Sequence, residues 1–151
     1  MVEDLKNFLR LSDKLISSGM PSADQLKSVA ESGVQVVINL ALPTSNDALK
    51  DEENIVTDLG MKYINIPVLW NEPTRENLED FMTAMKENTN SSVLVHCQAN
   101  YRATGFITMD RILRLGWEKE NAFQDLKKIW NPADYPIWQN FFDEILADEN
   151  K

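Results

Sequence analysis

Cys97 and His96 are the only cysteine and the only histidine of this 151-residue chain. They stand side by side in the run Val93-Leu94-Val95-His96-Cys97-Gln98-Ala99-Asn100-Tyr101-Arg102-Ala103-Thr104-Gly105-Phe106, which reads as a buried strand giving way to a helix. A strand that passes through a short loop into a helix aims several backbone N–H groups at one point, and the helix dipole adds about half a positive charge there. Anions bind at such points and thiols ionise at them, so Cys97 is a candidate nucleophile. Arg102 brings a planar fork of donors suited to an oxyanion, Thr104 a hydroxyl able to hydrogen-bond a thiolate, and Asn100 tolerance of the left-handed turn that such a loop needs. A lone Cys behind an apolar strand is otherwise an inert small hydrophobe. The three neighbours favour catalysis or anion binding instead.

Counting removes other cysteine chemistries. One Cys and one His fall short of a zinc site, form no CxxC redox pair and close no internal disulfide. A papain-like dyad fails too, because adjacent strand residues point to opposite faces and no second His exists to act as base. No metal and no organic cofactor is implied.

The loop resembles the phosphate-binding loop of cysteine-based phosphatases of the dual-specificity type, whose signature is His-Cys, five residues, Arg, then Ser or Thr. The amino-terminal half is similar to the phosphatase-like domain of beta-lactamase-hydrolase-like bacterial proteins. That likeness is carried by Ile16-Ser17-Ser18-Gly19-Met20-Pro21-Ser22, Gly33-Val34-Gln35-Val36-Val37-Ile38-Asn39-Leu40 and Ile66-Pro67-Val68, and it extends to about Leu115. The pattern departs in two places. Gln98, Ala99, Asn100 and Tyr101 are the only residues between Cys97 and Arg102, so either the loop is one residue short or Ala103 fills the arginine position. A shorter loop of this kind also resembles that of rhodanese-type sulfurtransferases. Related phosphatases carry an Asp beyond a position like Pro67 to protonate the leaving oxygen. Here Val68-Leu69-Trp70-Asn71-Glu72-Pro73 holds no Asp, and Glu72 is the acid that can reach in, or a solvated charge near a helix start.

The elements that must position this loop follow from the hydrophobic pattern. Runs rich in Val and Ile at Val34 to Leu42, Tyr63 to Leu69 and Val93 to Cys97 predict core strands too continuous for a one-sided antiparallel sheet. Between them Ser22 to Gln25 has capping-box spacing with Gly33 as the stop. Asn46 to Leu59 reads as a second helix, and Thr74 caps a third carrying Leu78, Phe81, Met82 and Met85. Short connections then predict right-handed crossovers and a parallel sheet, with an edge hairpin over Phe8 to Ile16. After the loop come helical stripes at Phe106 to Leu113, at Phe123 to Trp130 and at Ile137 to Leu146, with a turn at Asn131 to Pro136 from which Asp134 or Tyr135 can face the site.

The expected architecture is therefore one α/β domain over 1–151, a central, mostly parallel sheet flanked by helices, phosphotyrosine-phosphatase-like, with a helical carboxyl-terminal third. Cys97 lies at the carboxyl end of a central strand, where ligands of open α/β sheets collect. The function that the resemblance implies is phosphomonoester hydrolysis through a cysteinyl-phosphate. Cys97 attacks, Arg102 and the amides from Gln98 to Thr104 hold the oxygens, Thr104 stabilises the thiolate, and His96 fixes the loop through the backbone. The alternatives are sulfur transfer through a Cys97 persulfide and oxyanion binding without turnover. With 24 acidic against 15 basic residues and a net charge of -9, neither nucleic acid nor an anionic membrane is an expected partner. A phosphorylated or other oxyanionic substrate is. No apolar run reaches the roughly 20 residues of a membrane span, so the expectation is a soluble protein, cytoplasmic, or periplasmic if a leader was removed.

Overall fold

The computed structural model describes residues 1–149. Two short apolar stretches joined by Asp13-Lys14 make a hairpin, β1 (Leu9–Ser12) antiparallel to β2 (Leu15–Ser18), with a register irregularity between Arg10 and Ser12. The Val- and Ile-rich runs supply β3 (Val36–Asn39), β4 (Lys62–Asn65) and β5 (Val93–His96). The sheet order is β1-β2-β5-β3-β4, and every pairing beyond the hairpin is parallel. The expected hairpin is present, but of its two strands only β1 is an edge, since β2 pairs with the central β5. The expected strands are present and shorter than their apolar runs. Past Asn65 the chain leaves the ladder while Ile66 and Val68 still donate to the carbonyls of Asn39 and Leu40.

The period of two along the strands sorts the sheet into two faces. Val36, Ile38, Val93, Val95 and Cys97 belong to one core, while Val37, Leu94 and Ile16 belong to the other. The second face is covered by α1 (Ala23–Glu31) and α2 (Glu52–Asp58), through Leu26, Val29 and Val56. The first is covered by α3 (Arg75–Glu87), α4 (Tyr101–Leu113), α5 (Lys119–Leu126) and α6 (Pro136–Glu149). Leu78, Phe81, Phe106, Ile107, Leu126 and Trp138 fill that side, all at most 1% exposed. α4 is buried continuously from Ala103 to Arg111, and its polar members Thr104, Thr108, Asp110 and Arg111 are all hydrogen-bonded within the fold.

The caps fall where their residue types place them. Ser22 Oγ accepts from Gln25 N at 3.1 Å and Gln25 Oε1 accepts from Ser22 N at 2.9 Å. Thr74 and Asn77 make the same reciprocal pair, and Gly33 ends α1 at a φ of 100°. The second helix is a correction. It spans Glu52–Asp58 and not Asn46 to Leu59, because Thr44, Ser45, Asn46 and Asp47 favour turns and Asp51 enters α2 in a left-handed conformation, φ 58°. No described helix is long and apolar enough to cross a membrane.

An ion pair binds α4 to α5. Arg111, 5% exposed, donates to Asp125 Oδ2 at 2.7 Å and to the Leu11 carbonyl at 3.4 Å, with its guanidinium 4.1 Å from the Trp117 ring centre. Burial raises the Asp125 carboxyl, but hydrogen bonds and charges from Arg111 and Lys128 outweigh it and hold it below its ordinary value. A depressed folded-state value stabilises the fold above the unfolded value of about 3.9 and loses that contribution as pH falls through the folded one. Asp125→Asn is expected to cost about 1–2 kcal/mol in urea unfolding at pH 7. The deficit should shrink as the pH is taken below about 4; an equal deficit at pH 7 and pH 3 would locate its cause elsewhere.

Candidate active site

Cys97 emerges from β5 on the α3–α6 face, 1% exposed and packed with the apolar core there. Its N–H donates to the Ser18 carbonyl at 3.3 Å, and Leu40 N–H donates to the His96 carbonyl at 2.8 Å, so strands on both sides hold the end of β5. Beyond it Met20 N–H donates to the Gln98 carbonyl at 3.0 Å and Gly19 bridges Ala99. Asn100 then takes the left-handed conformation that its type suggested, φ 71° and ψ 5°. The first intrahelical bond of α4 is Thr104 N–H to the Asn100 carbonyl at 3.1 Å, which leaves the N–H groups of Tyr101, Arg102 and Ala103 without intrahelical acceptors. A left-handed residue ahead of a helix start turns successive N–H groups into an anion-binding concavity.

Two residues outside the run lock this loop, and nothing in their types announced it. Asn7, itself left-handed at φ 49°, donates from Nδ2 to the Ala99 carbonyl at 3.0 Å, while Asn100 Nδ2 donates to the Asn7 carbonyl at 2.7 Å. Gly19 lies so close that a Cβ there would stand 2.6 Å from the Gln98 carbonyl oxygen and 3.2 Å from Ala99 Cα. Only backbone can yield to relieve that contact. Gly19→Ala should therefore destabilise the fold by about 1–3 kcal/mol and weaken vanadate binding, measured by urea unfolding and by titration. Wild-type affinity in a folded variant would show that the loop tolerates the shift.

The remaining predicted residues divide. Arg102, half-buried, donates from Nη1 to the Val68 carbonyl at 2.8 Å, and its other donors stay available for a ligand. Ala103 is fully buried in the core, so its methyl is structural and only its N–H can serve the site. Thr104 requires a correction. Its hydroxyl donates to the Asn100 carbonyl at 2.7 Å, with the Tyr101 carbonyl at 3.2 Å, and accepts from Trp130 Nε1 at 2.9 Å. The hydrogen expected on the thiolate is spent on the helix, as Ser and Thr hydroxyls inside helices often are. Gln98 and Ala99 are half-buried, and Gln98 Oε1 is buried without a hydrogen-bond partner among the described residues. Glu72 is exposed on a turn closed by its own N–H to the Leu69 carbonyl at 3.1 Å.

Tyr101 stacks on Trp130 with ring centres 5.0 Å apart and planes 5° from parallel. Trp70 and Tyr135 complete an aromatic wall beside the loop, 6.0 Å and 5.7 Å from the Tyr101 ring. Tyr135 thus faces Tyr101 as the turn allowed. A hydrogen bond with the Tyr101 hydroxyl, then that group's charge, raise the Tyr135 phenol above its ordinary value.

His96 is wholly buried, with Nδ1 3.3 Å from the Cys97 carbonyl oxygen. Its other nitrogen meets a residue that sequence reasoning did not find, Glu52 at the start of α2, with Nε2 2.5 Å from Oε2. Glu52 Oε1 accepts from Asn39 Nδ2 at 3.3 Å, and that amide also reaches the Tyr63 hydroxyl at 3.1 Å. Burial, then the nearby charges of Glu52 and Glu53, raise the Tyr63 phenol against the opposing Asn39 hydrogen bond. No group of three or more His, Cys, Asp or Glu able to hold a metal ion occurs among the described residues.

Residues 7–127 match the model of a family described as DSP-PTPase phosphatase fused to NAD+ Kinase. A beta-lactamase hydrolase-like protein of Xylella fastidiosa (strain Temecula1 / ATCC 700964) is 28% identical over 109 residues, which cover 68% of this chain and 24% of that protein. The chain thus spans about a quarter of the length of that curated relative. The crystal structure of a "Putative phosphatase (DUF442)" from Shewanella putrefaciens CN-32 superposes with a TM-score of 0.89 at 36% identity, covering 97% of this chain and 93% of its own. TpbA of P. aeruginosa in complex with pTyr superposes with a TM-score of 0.71 at 18% identity over 89% of this chain and 81% of its own, a likeness of fold alone.

Proposed function

The chain belongs to the family of DSP-PTPase phosphatases fused to NAD+ kinase, with the phosphotyrosine-phosphatase-like α/β fold of the cysteine-based superfamily, and from that premise we propose that it hydrolyses phosphomonoesters through Cys97. The Cys97 thiolate attacks phosphorus, the bond from phosphorus to the ester oxygen breaks, and the alcohol leaves. Water then cleaves the cysteinyl-phosphate, giving phosphate and the free thiol. Arg102 and the amides of the Gln98 to Ala103 segment hold the nonbridging oxygens as charge builds on them. The observation that carries this reading is the Cys97 to Ala103 loop, locked by Asn7 and Gly19 around N–H groups that the helix leaves unpaired.

Protonation of the leaving group is the weak point of the site, because the acid that the sequence offers for it, Glu72, is exposed. Esters with good leaving groups, such as p-nitrophenyl phosphate, should be cleaved measurably and alkyl phosphates hardly at all, since an unprotonated alkoxide leaves poorly. If Glu72 closes onto the site, Glu72→Gln will lower alkyl turnover more than aryl. Arg102→Lys should weaken vanadate binding about tenfold or more although the charge is kept, because an ammonium cannot reproduce the fork. Equal affinity would put Arg102 outside the site. Thiocyanate formed from thiosulfate and cyanide, with a persulfide mass shift on Cys97 and no phosphate release, would replace hydrolysis by sulfur transfer. Vanadate binding with neither activity would leave an oxyanion-binding module.

A further inference from the structure

The His96 imidazole is wholly buried between two oxygens, the Cys97 carbonyl at 3.3 Å from Nδ1 and Glu52 Oε2 at 2.5 Å from Nε2. A carbonyl only accepts, so the first contact places a proton on Nδ1. The second then needs another proton on the Nε2···Oε2 line, since two facing lone pairs repel at that separation. Glu52 reaches this place from α2, 5% exposed, its other oxygen held by Asn39. Asn39 is anchored in turn by Ala41 N–H on its Oδ1 at 2.8 Å.

We propose that Glu52 is a positioning residue for the Cys97 loop, acting through His96 on the Cys97–Gln98 peptide. A trans peptide is planar, and its C=O and N–H point in opposite directions. Holding the Cys97 carbonyl toward His96 therefore aims the Gln98 N–H away from α2, to the side of the loop where the oxyanion binds. Glu52 enforces this by holding Nε2, which fixes the ring with Nδ1 toward that carbonyl. Without it the ring loses its anchor at Nε2 and can turn or shift away from the carbonyl, which frees the peptide to rotate. The inference rests on Cys97 as the anion-binding nucleophile.

The chain has one histidine, so the ring ¹⁵N resonances of histidine-labelled protein belong to His96 without further assignment. The wild type should show an Nδ1 proton and a strongly deshielded proton shared by Nε2 and Glu52. Glu52→Gln can accept from Asn39 with Oε1 and donate to Nε2 with its amide, so it should keep the Nδ1 proton and bind vanadate within about threefold of wild type. Glu52→Ala should lose the strongly deshielded shared proton and about tenfold or more in vanadate affinity. If Glu52→Ala does not fold, Glu52→Asp, which withdraws the carboxylate by one methylene, carries the same comparison. An Nδ1 without a proton in the wild type, or wild-type vanadate affinity in folded Glu52→Ala, would overturn the proposal. Both readouts are free of turnover. A wild type with the expected ring state and vanadate binding but no Cys97-dependent phosphate release would sink the hydrolase reading and leave the role of Glu52 standing.

Discussion

Cys97→Ser should lower phosphate release from p-nitrophenyl phosphate by about 10³-fold or more while vanadate still binds. An alcohol in that place is hardly ionised near neutral pH, whereas the loop N–H groups and Arg102 assigned to the oxyanion in the proposed mechanism are untouched. The thiol lies in a core shared with Val95 and Phe106, and serine is slightly smaller, so the fold should survive with a loss of about 1–2 kcal/mol for burying the hydroxyl. Loss of binding together with turnover would mean that the substitution disorders the loop, and circular dichroism and urea unfolding would reveal it. Undiminished turnover would remove Cys97 from the chemistry altogether.

Trp138→Ala should produce the largest loss of stability of any single side chain considered. Trp138 is fully buried, donates from Nε1 to the Trp70 carbonyl at 2.8 Å and stacks on the Trp70 ring at 5.4 Å. It also covers Gly105, where an added Cβ would already stand 3.5 Å from the indole. Truncating a buried tryptophan costs about 3–5 kcal/mol, which for a chain of this size lowers the melting temperature by on the order of 10 °C. The site should respond as well, since Trp70 follows closely on Val68, whose carbonyl holds Arg102. Calorimetry and vanadate titration together check this. A loss below about 1 kcal/mol would show that the aromatic wall repacks around the gap.

The sequence by itself determined what depends on residue type and local spacing. Apolar runs covered on both faces announced a parallel sheet, Ser22 and Thr74 announced their helices, and a strand, a lone Cys and a helix start announced the loop with Asn100 in its left-handed turn. Each of these follows from interactions among residues a few positions apart, so the pattern carries them. Tertiary structure decided the rest. Asn7 lies 93 residues from Asn100 in the chain, and Glu52 lies 44 from His96, and neither type singles out its partner among 24 acidic residues or the many polar ones. The order β1-β2-β5-β3-β4 puts β2 and β3 on either side of β5, and that adjacency delivers Gly19 to the loop and sets Asn39 beside His96. The Thr104 hydroxyl went to its own helix and to Trp130 because a hydroxyl has one hydrogen, and the acceptor nearest to it exists only once α4 has formed.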